Sequence, residues 1–386
     1  MSGYLKHETL AVQAGRMSEE HFGAVNTPVY RASTMLCRDL STLEAGHAPY
    51  VYGRLGTPSS RSLQEAIMAL EQGAATVVCP SGLNAIATAI MAVCGAGDHF
   101  LVVDSCYGPT RNFCDKALKR AGVETTYYDP LTGTDIERLI RPNTKAVYCE
   151  SPGSLTFEMQ DIPAIAAVAH AHGASVLLDN TWATPVLFHA FAHGVDISIQ
   201  SITKYIGGHS DLVMGCATAN AAHKDRLEEV HFLTGACAGA DDCFLALRGL
   251  RTLSVRLRRH EKTALELSRW LNTRPEVERI LHPALEDDPG HAIWRRDFNG
   301  SSGLFGVVLK PIPHAALAAF IDGLSHFGLG YSWGGFESLI VPAHIVRTAQ
   351  PFAAEGPLVR IHAGLEDADD LIADLEVGFG RMNEAQ

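Results

Sequence analysis

The chain has 386 residues, of which 47% are hydrophobic and 19% charged, so it can bury a large core and is not expected to be disordered. Its net charge of -12, without any run of Lys or Arg, argues against a nucleic-acid partner and against an anionic membrane surface. No apolar stretch approaches the roughly 20 residues of a membrane helix, and the start MSGYLKHETL does not resemble a secretory signal.

The cysteines and histidines are scattered along the chain without metal-ligand spacing. The nine cysteines occur singly, with no CxxC pair, and the 18 histidines show no HExxH motif. This usage is typical of reduced thiols, so we predict a cytoplasmic protein with no disulfide framework and no metal site.

The first half of the chain predicts an arm followed by an α/β domain. Residues 1–60 are irregular, with turn signals at 26–28 and 56–58, and we interpret them as an N-terminal arm. Short apolar runs then alternate with helical segments over 61–255; the strand candidates are ATVVCP, HFLVVDS, KAVYCES, ASVLLDN, DISIQSITK and VMGCATAN. Nearly continuous apolar strands that alternate with helices predict a mostly parallel sheet.

A smaller α+β domain is predicted over 256–386. Residues 244–275 have the pattern of one long helix or of two in succession. The strand SGLFGVVL, the helix HAALAAFIDGL and the strands ESLIVPA and LVRIHAGL follow. Asp367, Asp369 and Asp370 mark the first turn of a last helix, since acidic residues are favoured at helix N-termini.

Three features are expected at the carboxyl ends of the large domain's strands, where open α/β sheets bind ligands. The segment Pro80-Ser81-Gly82 joins a strand to a helix, and a helix N-terminus can bind an anion, although this pattern is common. Asp179 follows a buried strand, and by itself it is more simply explained as a helix cap or an ion pair. Ser201 and Thr203 are expected on one strand face beside Lys204, which a surface location would also explain.

Taken together, these features suit pyridoxal phosphate. The helix start and the two hydroxyls offer a phosphate site, Asp179 offers a carboxylate for the pyridine nitrogen, and Lys204 offers an amine for a Schiff base. The 25 residues between Asp179 and Lys204 leave room for a helix and a strand between two neighbouring strand ends. We therefore predict that Lys204 bonds a cofactor covalently.

Motifs along nearly the whole chain resemble those of the Cys/Met-metabolism family of pyridoxal-phosphate enzymes, and within it the cystathionine β-lyase branch. They are YGRLGTPS, ESPGSLT, DNTWATPVLF, SIQSITKYIGGHSD, RGLRTLSVRLRRH, FNGSSGLF, YSWGGFESL and RIHAGLED. The resemblance implies fold type I, the aspartate-aminotransferase-like fold, with a mostly parallel seven-stranded sheet and a smaller C-terminal domain.

The resemblance also implies roles for individual residues. Lys204, Tyr107 and Asp179 would be catalytic; Asp179 would keep the pyridine nitrogen protonated, and Tyr107 would stack on the cofactor ring and contact the substrate. The remaining cofactor contacts would be Gly82, Leu83, Ser201 and Thr203 and, from a neighbouring subunit, Tyr52 and Arg54. Arg360 would bind the substrate α-carboxylate, helped by Ser332 and the Trp333 backbone. A neighbour's contribution requires at least a dimer, and the family's usual assembly is a homotetramer.

The implied reaction is β-elimination at a carbon–sulfur bond of cystathionine or of a related cysteine S-conjugate. Ser154, in the motif SPGS, favours the β branch. Two alternatives stay open: γ-elimination or γ-replacement on the same scaffold, and a catalytically idle homologue that serves as a binding subunit. The intact Lys204, Asp179, Tyr107 and Arg360 argue against the idle homologue.

Three positions depart from the well-studied β-lyase pattern. Leu55 follows Arg54 where a second arginine is usual, Asn112 replaces an acid, and Phe244 replaces a tyrosine. The first two changes remove a cation and an anion from the region expected to bind the distal end of cystathionine, so both cystathionine and another cysteine S-conjugate stay open as the substrate. Arg111, beside Asn112, is expected to be solvated.

Overall fold

The computed structural model describes residues 5–46 and 48–386 and contains two β-sheets. The predicted arm, 1–60, includes residues 1–4 and 47, which lie outside the described residues.

Helices and strands alternate through the first two thirds of the chain. The helices are α1 His7–Gln13, α2 Leu40–Ala45, α3 Pro58–Glu71, α4 Gly82–Val93, α5 Gly108–Asn112, α6 Ile162–Ala171, α7 Thr184–Leu187, α8 Lys224–Thr234, α9 Ala240–Leu250, α10 Leu253–Leu271, α11 His291–Asp297, α12 His314–Ile321 and α13 Ala368–Glu384. The strands are β1 Ala75–Cys79, β2 His99–Val103, β3 Glu124–Tyr128, β4 Thr144–Glu150, β5 Ser175–Asp179, β6 Ile197–Gln200, β7 Gly215–Ala219, β8 Val277–Leu281, β9 Leu304–Leu309, β10 Phe327–Gly328, β11 Ser338–Pro342 and β12 Leu358–His362.

The large sheet has seven strands in the order β1-β7-β6-β5-β4-β2-β3, as the resemblance implied. Strands β6, β5, β4, β2 and β3 are parallel neighbours, whereas β7 runs antiparallel to both β1 and β6. The predicted mostly parallel sheet is therefore confirmed. The pattern of apolar runs missed β3, because this edge strand reads ETTYY and only Tyr128 in it is buried.

Local sequence explains where several of these helices begin. Helix α3 starts at a capping box between Thr57 and Ser60, with Pro58 in its first turn. Ser81 caps α4 by accepting the N–H of Asn84, and Asp367 caps α13 by accepting the N–H of Asp369. These caps fix the helix starts, and the start of α4 lies at the functional cavity described below.

The smaller sheet has five strands in the order β10-β11-β12-β9-β8 and packs against α10, α12 and α13. Its predicted strands β9, β11 and β12 are present, and β8 and β10 are additional. The helical stretch predicted over 244–275 consists of two helices, α9 and α10.

Helix α10 joins the hydrophobic cores of the two sheets. Leu253 and Leu257 pack in the core of the large sheet, whereas Leu267 and Leu271 pack in the core of the smaller one. The predicted boundary at 255/256 falls inside this helix.

Among the described residues, no helix combines the length and the apolar composition that crossing a bilayer requires.

Candidate active site

A cavity of about 390 Å³ lies at the carboxyl ends of the large sheet's strands, a volume within the range of ligand pockets. Most of the predicted site residues line it: Gly82, Leu83, Tyr107, Asp179, Ser201, Thr203, Lys204, Trp333 and Arg360. Ser332 reaches the same place through a hydrogen bond to Lys204. Residues more than 270 positions apart in sequence thus meet in one cavity. This is the place where open α/β sheets bind ligands, because the carboxyl ends of their strands lie side by side.

The start of α4 forms one wall of this cavity. Because Ser81 is the cap, the N–H groups of Gly82 and Leu83 belong to the first turn and have no acceptor within the helix. A Cβ atom on Gly82 would come within 2.7 Å of the Ser201 hydroxyl oxygen, so only glycine allows the helix to approach the turn after β6 this closely. The wall therefore presents free donors and the dipole of a helix N-terminus, which suit an anion.

The turn after β6 carries the predicted hydroxyls and the lysine. The prediction that the strand continues to Lys204 is wrong, since β6 ends at Gln200 and the following residues form a turn. Ser201 and Thr203 nevertheless both line the cavity. The Thr203 hydroxyl lies 3.0 Å from both the carbonyl oxygen and the N–H of Met214, so it would have to release that carbonyl to donate to a phosphate.

Asp179 is a buried carboxylate that accepts three hydrogen bonds. Its Oδ1 accepts the N–H of Thr181 at 3.1 Å and the Thr181 hydroxyl at 2.5 Å, and its Oδ2 accepts the Tyr148 hydroxyl at 3.3 Å. Burial raises the pKa of Asp179, while these donors and the charge of Lys204 oppose the rise. Thr181 was missed in the sequence, although an Asp followed two residues later by a donor is a common turn signal.

The amine of Lys204 contacts the loop between β10 and β11. Its Nζ donates to the Ser332 hydroxyl oxygen at 2.6 Å and lies 5.1 Å from the centre of the Trp333 ring. Burial, and secondarily the charge of Arg360, lower the pKa of Lys204 to about 8, against the opposing charge of Asp179. At pH 7 about a tenth of the amine is therefore neutral, far more than for a lysine with the ordinary pKa of 10.5, and the neutral form is the nucleophile and base.

The loop from Tyr331 to Gly335 supports both Lys204 and Arg360. Ser332 adopts a φ of 78°, an uncommon value for a side chain other than glycine, and its carbonyl oxygen accepts Nη2 of Arg360 at 2.9 Å. A Cβ on Gly334 would lie 2.8 Å from the Lys204 carbonyl carbon, so this glycine allows the loop to pack directly on the lysine. The strained loop and the arginine of β12 are thus fixed relative to the amine.

Glu150, the last residue of β4, also lines the cavity and was given no role by the sequence. Its Oε2 accepts the N–H of Tyr107 at 2.7 Å. Burial and the nearby charge of Asp179 raise the pKa of Glu150 well above its ordinary value. Its position at the end of a buried strand, like that of Asp179, is the signal that could have identified it.

Tyr52 and Arg54 do not line this cavity. The Arg54 guanidinium lies 5.3 Å from the centre of the Phe232 ring and donates to the Phe232 carbonyl oxygen at 3.3 Å, and Tyr52 is 45% exposed. Leu55 is likewise exposed and lies outside the cavity of its own chain, as does Asn112.

The expectation that Arg111 is solvated is wrong. Its side chain is 8% exposed, forms an ion pair with the fully buried Asp104 and stacks 3.7 Å from the centre of the Tyr127 ring. Asp104 also accepts the N–H groups of Thr348, Ala349 and Gln350, a loop of the smaller sheet. Arg111 is buried because this distant loop covers it, which its sequence neighbours do not reveal.

The residues present fit pyridoxal phosphate. The free N–H groups of α4 and the Ser201 hydroxyl suit its phosphate, and the space that a Cβ at Gly82 would fill stays open. Lys204 and Asp179 face the same cavity.

In the described part of the chain no group of three or more His, Cys, Asp and Glu side chains is arranged to hold a metal ion.

The comparisons with known proteins agree with this geometry. A model of the Cys/Met metabolism PLP-dependent enzyme family matches residues 8–380. The chain is 52% identical over 365 residues to a putative cystathionine beta-lyase of Rhizobium johnstonii, with 93% of this chain and 92% of the relative covered. It is 45% identical over 390 residues to the cystathionine beta-lyase MetC of Escherichia coli K12, covering 98% and 99%.

A solved structure is similar over the whole chain. The crystal structure of cystathionine gamma-lyase from Lactobacillus plantarum complexed with L-serine superposes with a TM-score of 0.91 at 32% identity, covering 98% of this chain and 100% of that one. The predicted fold type I is therefore confirmed. The chain belongs to the Cys/Met metabolism family of PLP-dependent enzymes, and its cofactor is pyridoxal 5'-phosphate.

Proposed function

We propose that the protein is a carbon–sulfur β-lyase that cleaves L-cystathionine or a related cysteine S-conjugate. The observation that carries the proposal is the convergence of a low-pKa amine, a guanidinium and a buried carboxylate on one cavity, at Lys204, Arg360 and Asp179. The relatives named cystathionine beta-lyase, at 45% and 52% identity over nearly the whole chain, support the same reaction.

The substrate is bound by its amino-acid end. Arg360, whose orientation is fixed by the Ser332 carbonyl oxygen, pairs with the α-carboxylate, because a guanidinium can hold both carboxylate oxygens. The Ser332 hydroxyl and the Trp333 backbone complete this site. The Cα atom is then held on the side of the cavity where the Lys204 amine lies.

The cofactor, when bound, supplies an electron sink that stabilises negative charge at the substrate Cα. Asp179 holds the proton on its ring nitrogen, and Thr181 and Tyr148 keep that carboxylate in place. The N–H groups of Gly82 and Leu83, with Ser201 and Thr203, bind its phosphate. Tyr107 packs against its ring.

Proton transfer is assigned to Lys204 and Tyr107. With a pKa of about 8, Lys204 can remove the Cα proton as a neutral amine near pH 7 and give a proton back. The Cβ–S bond then breaks, and the leaving thiolate takes a proton from Lys204 or Tyr107. With one water consumed, the products of cystathionine are homocysteine, pyruvate and ammonia.

The competing reaction on this scaffold is cleavage of the Cγ–S bond of cystathionine. The similarity to the structure of a cystathionine gamma-lyase is the reason to test for it. Purified enzyme should be given L-cystathionine, L-cystine and an S-alkyl cysteine in parallel, and the keto acid identified. Pyruvate with homocysteine from cystathionine supports the β-lyase, whereas 2-oxobutyrate with cysteine contradicts it. Pyruvate from only the other two substrates means that Leu55 and Asn112 have redirected the same chemistry.

The role of Lys204 is tested separately by Lys204→Ala. This variant should lose the cofactor's protein-bound absorbance band and all keto-acid formation, whereas Lys262→Ala, which changes a lysine with 64% side-chain exposure, should retain both. An intact band in Lys204→Ala would show that another amine holds the cofactor. No catalysis by the wild type on any amino-acid substrate would instead favour an idle homologue.

We also propose a homo-oligomer, a dimer at least and a tetramer by family resemblance. The support is that Tyr52 and Arg54 lie outside their own cavity, while the arm exposes Leu36 at 93% and Leu40 at 66%. Arg54→Ala and Lys204→Ala subunits, each inactive alone, should regain activity when dissociated and mixed, since a hybrid contains one site with both residues. Failure to complement in verified hybrids would place Arg54 in its own subunit's site.

The domain division and the location complete the proposal. In this proposal the described part of the predicted arm 1–60 reaches toward the neighbour, 61–255 bind the cofactor, and 256–386 contribute Arg360. The nine cysteines are all unpaired in the described chain, which supports a cytoplasmic location.

A further inference from the structure

Two carboxylates end neighbouring parallel strands at the cavity. Glu150 ends β4 and Asp179 ends β5, and their Cα atoms are paired in register. Both side chains line the same cavity, since paired residues on parallel strands point to the same face of the sheet. The proposed reaction uses only Asp179, so Glu150 is an ionisable group without an assigned role.

The two carboxylates differ in the partners that could stabilise a negative charge. Asp179 accepts three hydrogen bonds and faces the charge of Lys204. Glu150 accepts one, from the N–H of Tyr107, and its charged neighbour is Asp179 itself. Because two adjacent carboxylates disfavour each other's ionisation, the charge belongs on Asp179, which has more hydrogen-bond donors and a nearby cation.

Among the described residues, the only hydrogen bond of the Glu150 carboxyl group is to the N–H of Tyr107, the residue proposed to face the cofactor. Tyr107 stands immediately before α5, and its carbonyl oxygen accepts the N–H groups of Thr110 and Arg111. In the described chain the Tyr107 hydroxyl has no protein partner, and the side chain is 44% exposed. Its ring is therefore positioned through its backbone, which is fixed by the helix on one side and by Glu150 on the other.

We propose that Glu150 is a positioning residue for Tyr107 and that it acts as a neutral hydrogen-bond acceptor, leaving the negative charge at the cavity on Asp179. The proposal rests on the proposed contact of Tyr107 with the cofactor ring. A carboxylic acid or an amide serves equally well in this role, because the Tyr107 N–H needs only a carbonyl oxygen.

Two substitutions distinguish the hydrogen-bond acceptor of Glu150 from its ionisable group. Glu150→Gln removes only the ionisable group, whereas Glu150→Ala removes both. Glu150→Gln keeps shape and acceptor, so kcat and the Kd of the apoprotein for pyridoxal phosphate should stay within about threefold of wild type. Glu150→Ala removes the acceptor and should lower kcat about 10- to 100-fold and weaken cofactor binding, as expected from a misplaced ring. Glu229→Gln, on the exposed face of α8, is the matched control. Equal losses in the Gln and Ala variants would overturn the neutral role, and an unchanged Ala variant would overturn positioning.

A double-mutant cycle distinguishes positioning from general support of the fold. Once Tyr107 is replaced by Ala there is no ring to place, so Tyr107→Ala/Glu150→Ala should match Tyr107→Ala in cofactor Kd and in kcat/KM. Multiplying losses would show that Glu150 acts independently of Tyr107. The cofactor Kd remains informative even if no lyase substrate is found, so failure of this proposal is distinguishable from failure of the proposed function.

Discussion

Asp104 directly follows the buried strand β2 and Asp179 is the last residue of β5, and both are buried, at 1% and 8% exposure. Their surroundings nevertheless differ. Asp104 accepts three successive N–H groups from the loop at Thr348, the Thr348 hydroxyl and a buried arginine. Asp179 has two donors from Thr181 and one from Tyr148 on the neighbouring strand β4, and it faces a cavity.

The difference separates a structural carboxylate from a reactive one. Burial acts to raise the pKa of both, but the hydrogen bonds from Ala349, Arg111, Thr348 and Gln350 outweigh it at Asp104 and lower the pKa of that group. At Asp179 burial prevails, and the pKa is raised. A carboxylate such as Asp104, whose oxygens accept many hydrogen bonds from the protein, links two parts of the fold. A carboxylate such as Asp179, which accepts fewer hydrogen bonds and lies beside a cavity, can interact with a ligand.

The largest expected effect is the loss of catalysis in Asp179→Asn. An amide of the same size cannot hold a proton on the cofactor's ring nitrogen, so kcat/KM should fall on the order of 10²- to 10⁴-fold. The urea unfolding midpoint of the apoprotein should change little. Asp135→Asn, at an exposed ion pair, is the control. If Asp179→Asn unfolded at lower urea but kept its kcat/KM, Asp179 would be a structural carboxylate and not a catalytic one.

Asp104→Asn should show the opposite pattern. Its amide would face the N–H groups of Thr348 and Ala349 and leave Arg111 with an uncompensated buried charge, which costs about 3–5 kcal/mol in the free energy of unfolding. Urea unfolding measures this loss, and Asp135→Asn should lose less than about 1 kcal/mol. If stability were unchanged, Asp104 would not fasten the loop to α5.

Glu71 is an intermediate case that sharpens the comparison. One of its oxygens accepts hydrogen bonds from Ser198 and Gln200, and the other is buried with no partner among the described residues. Burial raises the pKa of Glu71 from 4.5 to about 7. The folded state therefore holds an extra proton between these pH values, so stability falls as the pH rises through this window. Glu71→Gln should be about 3 kcal/mol more stable than wild type at pH 8 and nearly equal to it at pH 4.5.

Urea unfolding of Glu71→Gln at several pH values measures this effect. Glu65→Gln, which removes a partly exposed partner of Arg61 on the same helix, is the control and should change stability by less than about 1 kcal/mol. A pH-independent difference between Glu71→Gln and wild type would show that Glu71 does not titrate with folding in this range.

The smallest effect concerns the rate at which the apoprotein takes up pyridoxal phosphate. Only the neutral amine attacks an aldehyde, so the rate should rise about tenfold per pH unit and level off above the Lys204 pKa of about 8. Stopped-flow absorbance measures it, with Lys204→Ala as the blank. A rate still rising near pH 10 would mean that Lys204 has an ordinary pKa.

Sequence patterns predicted most of the fold, and the failures have physical causes. The edge strand β3 was missed because one of its faces is partly exposed and it lacks a continuous apolar run. The strand β6 was extended too far, because Ile202 continues the apolar alternation although the chain already turns there. Both errors lie where tertiary contacts outweigh local periodicity.

The sequence by itself determined the chemistry of the cavity. Asp179 ends β5, and Gly82 and Lys204 follow β1 and β6 within four residues, so the carboxyl-end geometry of the sheet brings all three together. Only the tertiary structure revealed that Glu150 holds Tyr107 and that Arg111 is buried against Asp104. The last cluster depends on partners up to 246 residues apart, and no local pattern can predict which loop will cover a given charge.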